Sequence, residues 1–172
     1  MTLVFDSYVA SLGPNVAVTE NRKNCQLVVD IQYPGGFQYS ILGADYRGYA
    51  SIDKGVTGTL KSTYYFSGQQ AQVSCAPFYR KPRLANPRQT STEQSFVGPI
   101  NGDYLKSDKA DSTSTVMSPC GASGILNINS QVRLTTSGSN TSPNKPSGLL
   151  TTDSTDLKFT QVVSVQWQKC NK

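Results

Sequence analysis

A chain of 172 residues is the size of one domain, able to bury roughly 70% of the surface its unfolded form exposes. Only 16% of the residues are charged, none is histidine, and no run approaches the roughly 18 apolar residues of a membrane span. Together these exclude Ser-His-Asp and Cys-His catalysis, an imidazole metal site, and a spanning helix.

The formal charge of +5 invites a nucleic-acid reading, but one run dominates it. Val73–Gln89, VSCAPFYRKPRLANPRQ, holds four of the sixteen basic residues and no acid, so without it the balance is +1 (sixteen minus four basic, against eleven acidic). Elsewhere basic residues stand singly, apart from Arg22 and Lys23. That pattern is a solvated surface rather than the basic stripe of a nucleic-acid binder, so no nucleic-acid partner is expected.

Period-two alternation runs through most of the chain. Met1–Ala10, with Leu3, Phe5 and Val9 apolar, reads as a first strand. In Cys25–Tyr33 the odd positions are apolar, Pro34-Gly35-Gly36 forces a turn, and Phe37, Tyr39 and Ile41 resume the pattern, so Cys25–Leu42 reads as a β-hairpin. Asp45–Ile52 alternates less cleanly, with Tyr46, Gly48, Ala50 and Ile52 on one face. Leu60, Tyr64 and Phe66 mark another strand. Gly124–Thr135 is the clearest: Leu126, Ile128, Val132 and Leu134 point one way, and Asn127, Asn129, Gln131 and Arg133 the other. The polar segment Thr136–Ser147 reads as a flexible loop, and Phe159, Val163, Val165 and Trp167 form a last strand. No window has helical spacing. The expected fold is all-β: residues 1–172 as a single antiparallel β-sandwich or jelly-roll-like domain.

The chemistry left to such a chain is limited. Gly55–Gly58 lacks the Lys-Ser/Thr and helix of a phosphate loop. The cysteines Cys25, Cys75, Cys120 and Cys170 include no CxxC, which argues against zinc and dithiol redox work and leaves structural disulfides in an oxidising compartment. No catalytic, cofactor-binding or metal-binding residue is assigned. Paired carboxylates of the glycosidase kind remain open, although Asp153 and Asp156 suit a turn and the chain has only two glutamates, Glu20 and Glu93. Eight aromatic residues, Tyr33, Tyr39, Tyr46, Tyr49, Tyr64, Tyr65, Phe66 and Trp167, are too many for one core. Tyr46, Tyr49, Tyr64 and Tyr65 are the candidates for stacking on sugar rings, against the alternative of cross-strand pairing within the sheet. Asn140-Thr141-Ser142 is a glycosylation sequon in the exposed loop, with Asn140 as acceptor.

Four stretches taken together, ENRKNCQLVVDIQYPGGFQYSI, DYRGYASIDKGVTGTLKSTYYFSG, SPCG at Ser118–Gly121 and TTDSTDLKFTQVVSVQWQKC, make the chain resemble the secreted fungal family of domain of unknown function 4360. The likeness covers nearly everything except Val73–Gln89. It implies an extracellular, β-rich, disulfide-stabilised protein, for which wall polysaccharide or a host or extracellular protein are the expected partners. It carries no established activity, and nothing sets the oligomeric state. Family members also carry a signal peptide and a Gly-Cys-Pro segment ahead of the strand matching Thr2–Ala10. The domain is therefore expected to be amino-terminally incomplete, with Met1 an internal methionine. With that upstream cysteine absent, one pair survives among Cys25, Cys120 and Cys170, and the third is orphaned; which one stays open.

Val73–Gln89 interrupts the family pattern just before Phe96-Val97-Gly98-Pro99. Val-Ser fits the codons GTAAGT, Ala85-Asn86 fits GCTAAC, and Arg88-Gln89 fits an ending in CAG: the donor, branch and acceptor signals of a short intron. The run is read as translated intron, a non-native insertion with Cys75 unpaired. A genuine loop insertion is the alternative.

Overall fold

The computed structural model describes residues 1–6, 8–67, 89–110, 116–121, 123–136, 146–151 and 158–170. Among them lie ten strands and one short 3-10 turn, Val18–Asn21. The strands are β1 (Thr2–Asp6), β2 (Ala10–Leu12), β3 (Arg22–Ile31), β4 (Phe37–Ile52), β5 (Val56–Phe66), β6 (Thr90–Val97), β7 (Ile100–Lys109), β8 (Gly124–Thr136), β9 (Gly148–Thr151) and β10 (Lys158–Lys169). They form two antiparallel sheets, as the alternation requires. One has the order β1-β10-β4-β9-β2 with β7 on the other side of β4; the second has the order β3-β8-β5-β6. The fold is an all-β sandwich.

The expected hairpin over Cys25–Leu42 does not form. β3 pairs with β8, whereas β4 pairs with β10, β7 and β9 in the opposite sheet. Pro34-Gly35-Gly36 is therefore a crossing between layers. Alternation cannot distinguish the two arrangements, because it reports which face is buried and not which strand lies alongside. The first expected strand is also two. β1 pairs with β10 and β2 with β9, which follow one another along the side of β4 opposite β7, so the two short strands share one edge; between them Tyr8 turns inward, its hydroxyl donating to the Ser130 and Lys23 carbonyls at 2.7 and 3.1 Å.

β4 runs unbroken through the two segments that the sequence separates. Its register against β10 slips between Ser164 and Val165, where Ser164 faces Gly43 and Val165 faces Ile41, leaving Leu42 as the extra residue. The bulge reverses the alternation. Tyr39 and Ile41 point into the core before it, and Ala44, Tyr46, Ala50 and Ile52 after it.

Leu60, Tyr64, Phe66, Leu126, Ile128, Val132 and Leu134 of one sheet meet Tyr39, Tyr46, Ala50, Leu150, Phe159 and Val163 of the other. At its centre the core is polar. The Tyr46 hydroxyl lies 2.5 Å and the Tyr64 hydroxyl 3.1 Å from Thr92 Oγ1. Gln161 Nε2 donates to the Tyr64 hydroxyl at 2.8 Å, and Ser62 Oγ donates to Gln161 Oε1 at 3.2 Å. Every member has a partner, so the network adds specificity without leaving a buried group unpaired. Desolvation pushes the phenols of Tyr8, Tyr39, Tyr46, Tyr64 and Tyr104 well above the ordinary tyrosine range.

The Phe96–Pro99 turn carries the chain from β6 in one sheet to β7 in the other. Gly98 is required there by close approach: a Cβ would collide with the Asp53 carbonyl and lie 2.7 Å from that of Ile52. Of the loop expected over Thr136–Ser147, the two ends are among the described residues. Thr136 closes β8, and Ser147 exchanges hydrogen bonds with Asp53, through Oδ2 at 2.7 Å and the backbone N–H at 3.0 Å. Residues 137–145, including Asn140, lie outside the described residues, as do residues 73–88, including Cys75, and Asp153 and Asp156.

Candidate binding surfaces

Burial removes two of the four candidate stacking tyrosines. Tyr46 and Tyr64 are 0% and 1% exposed, because they sit on the inward phase of β4 and β5 and their hydroxyls serve the central network. Tyr49 and Tyr65, on the outward phase, are half-buried. They do not share a surface: Tyr49 lies on the outer face of the larger sheet and donates to Asn101 Oδ1 at 2.6 Å, and Tyr65 lies on the outer face of the four-stranded sheet.

Tyr65 has the more informative setting. Its hydroxyl accepts from Gln26 Nε2 at 3.1 Å. Gln26 belongs to β3 and Tyr65 to β5, with β8 between them, so the two backbones are about 9.6 Å apart at the usual spacing. The bond holds the ring lying across β8 along the sheet surface. Asn127 of β8, paired with Tyr65, is accordingly only 7% exposed although it points outward, and its Nδ2 turns aside to Ser67 Oγ at 3.0 Å.

Around that ring the outer face carries rows of amides and hydroxyls, with Val28, 65% exposed, in the ring's own row. Ladder register aligns Gln26, Asn129, Thr63 and Ser91 in one row across the four strands, and Asn24, Gln131, Lys61 and Glu93 in the next. Lys61 and Glu93 pair at 2.7 Å, and Arg22 hydrogen-bonds the Gln131 side-chain oxygen, so the charges on these rows are largely engaged within them. The clue was present in the sequence, since many of the outward residues of β3, β5 and β8 are Asn, Gln or Thr. Their coincidence on one face needed the register.

Three hollows accompany this surface. The first, about 250 Å³, lies between Leu12, Val16, Ala17, Asn21, Thr135 and Pro146 and has no ionisable side chain in its lining. The second, about 400 Å³, carries one carboxylate, Asp53, already bonded to Ser147. The third, about 270 Å³, has two, Asp45 and Asp108, beside Lys109 and Gly43; Asp108 Oδ2 accepts the Glu93 N–H at 2.6 Å. Among the described residues no three of His, Cys, Asp and Glu converge as a metal site would require, and no helix is long and apolar enough to cross a membrane.

Cys120 and Cys170 form a disulfide with Cα atoms 5.9 Å apart, closing a separation of 50 residues. It ties the Val116–Gly121 segment to the end of β10. Cys25, half-buried on the inner face of β3, is the one left free among the described residues, which answers what the cysteine spacing left open.

The chain is similar to a protein described as secreted. It is 54% identical over 170 residues to an uncharacterized secreted protein of Arthroderma benhamiae, a match that takes in 99% of this chain but 60% of the relative's length. The family described as Domain of unknown function (DUF4360) matches residues 1–170, and the chain belongs to that family.

Proposed function

We propose that this protein is a secreted, non-enzymatic binding protein whose four-stranded outer face adsorbs an extended polyhydroxylated polymer, such as a wall polysaccharide. The observation that carries this reading is the Tyr65 ring, held by Gln26 across the outer face and flanked by rows of amides and hydroxyls. A sugar ring stacks its C–H face on an aromatic face while its hydroxyls exchange hydrogen bonds with side chains at the periphery. Strand spacing of about 4.8 Å and a two-residue repeat of about 6.8 Å offer such contacts at regular intervals along a linear chain.

Binding to insoluble chitin, β-glucan and cellulose by sedimentation tests the reading. Tyr65→Ala is expected to weaken adsorption about 10-fold or more, equivalent to roughly 1.4 kcal/mol. Gln26→Ala, which frees the ring, should weaken it less, and Tyr49→Ala should leave it unchanged. Equal adsorption by wild type and Tyr65→Ala, or none by either, rejects the proposal. Soluble reducing sugars released by the wild type, and lost in Asp45→Asn or Asp108→Asn, would instead identify a hydrolase working from the Gly43 hollow.

A further inference from the structure

Among the described residues, one flank of the sandwich is incomplete in both layers. In the larger sheet, β1 covers β10 only as far as Val163, whose N–H donates to the Met1 carbonyl at 2.7 Å and whose carbonyl accepts from the Met1 amino group at 2.9 Å. β10 continues to Lys169 with β4 on its other side. Backbone groups alternate along a strand, and the Cys170 N–H already points to Gly36 on the β4 side. The N–H and C=O groups of Val165, Trp167 and Lys169 therefore face the side of β1, where no strand among the described residues meets them.

The facing layer has the matching deficit. The inner side chains of β5 and β8 are buried, whereas those of β3 stay half-buried along the whole strand, Cys25 and Leu27 as well as Val29 and Ile31, and so does Tyr33 just beyond it. Trp167, the sole tryptophan, is 47% exposed although it packs edge-on against Tyr33 and lies 5.0 Å from the Tyr39 ring. One added strand, beside β10 and in line with β1, would satisfy the three backbone pairs and cover Val29, Ile31, Tyr33 and Trp167.

This edge carries less charge than most of the others. Edge strands avoid unwanted pairing by carrying charge. β3 has Arg22, Lys23 and Asp30, β7 has Asp103, Lys106, Asp108 and Lys109, and β6 has Glu93 at its middle; the short β2 has none, and Val165–Lys169 has only Lys169, at its end. An edge charged only at its end, with a half-exposed tryptophan, is suited to being occupied.

We propose that the open half of β10 is the docking place of an extended strand that continues β1, formed by residues preceding Met1 in a longer polypeptide. The ladder fixes direction: the strand runs antiparallel to β10, and its inward residues are apolar where they meet Val29, Ile31 and Trp167. The matched relative has sequence beyond the 60% of its length that aligns here.

The test compares this 172-residue chain with the chain extended upstream by the residues its genomic DNA encodes. In the shorter chain the amides of Val165, Trp167 and Lys169 should exchange hydrogen rapidly. In the longer one they should exchange about 100-fold more slowly, and Trp167 emission should move to shorter wavelength. Equal exchange in both chains overturns the proposal, as does a stop codon directly upstream. Slow exchange in the shorter chain at every concentration also overturns it, because the edge is then covered from within. Protection that grows with protein concentration overturns it in favour of a second copy on that edge.

Discussion

At the scale of single residues, Thr92 and Gly98 show how little slack this sandwich has. Thr92 Oγ1 is shared by two buried phenols, and Thr92→Val keeps the volume but removes the shared partner. A loss of about 1–3 kcal/mol is expected in urea titration, the range for leaving a buried hydroxyl unsatisfied; an unchanged midpoint would show that the network contributes nothing. Gly98→Ala places a methyl group against two backbone carbonyls that cannot swing away. It should cost about 1–3 kcal/mol, as overpacking does, and Gly98→Ala melting with the wild type would contradict the close approach. Neither role could be inferred from the sequence. Thr92 reads as one polar residue among many, and the partners of Gly98 lie on a segment about 45 positions away.

The decisive element is the β5–β6 connection. Tyr64 pairs with Thr90, so these strands are hydrogen-bonded neighbours, yet 23 residues separate Phe66 from Thr90 (90 − 66 − 1). Removing Val73–Gln89 would leave Ser67–Gln72, six residues, ample for a hairpin. This supports the proposal that the run is translated intron, whose decisive check is the genomic DNA: without GT at Val73 and AG at Gln89 it fails. Shortening the loop lowers its closure entropy by about 1 kcal/mol. The chain lacking residues 73–89 should therefore melt about 2–4 °C higher, and a lower melting temperature would mark the run as an integral loop. The Cys120–Cys170 bridge acts at the same scale. Reducing it should cost about 4 kcal/mol on the chain-entropy account of a 50-residue closure.

For the molecule as a whole, the interior predicts an alkaline limit. Five buried tyrosines have phenols raised above their unfolded value by desolvation. The folded form keeps these protons where the unfolded form releases them, so their contribution is fully present below about pH 10 and is lost as pH rises further. With five groups the slope approaches roughly 7 kcal/mol per pH unit. Sheet circular dichroism should stay level to about pH 10 and then collapse steeply, with a jump in tyrosinate absorbance at the same pH. Five tyrosinates appearing before the sheet signal falls would refute this.

Alternation alone determined that this chain is all-β, which residues of Cys25–Ile31 and Gly124–Thr135 face inward, and that Tyr64 and Tyr65 must part company. Burial on one face writes a period of two directly into the sequence. Partnership leaves no such mark. That β3 lies in a different sheet from β4, that Leu42 is a bulge and that Cys120 meets Cys170 all depend on contacts between distant segments. The same holds for function. That one of Tyr64 and Tyr65 faces outward was legible, but the posture of Tyr65 over β8 and the rows around it exist only once three strands are in register. Likewise the half-exposed Trp167 on an unpaired edge follows from where β1 stops along β10, a relation between two strands that neither sequence contains.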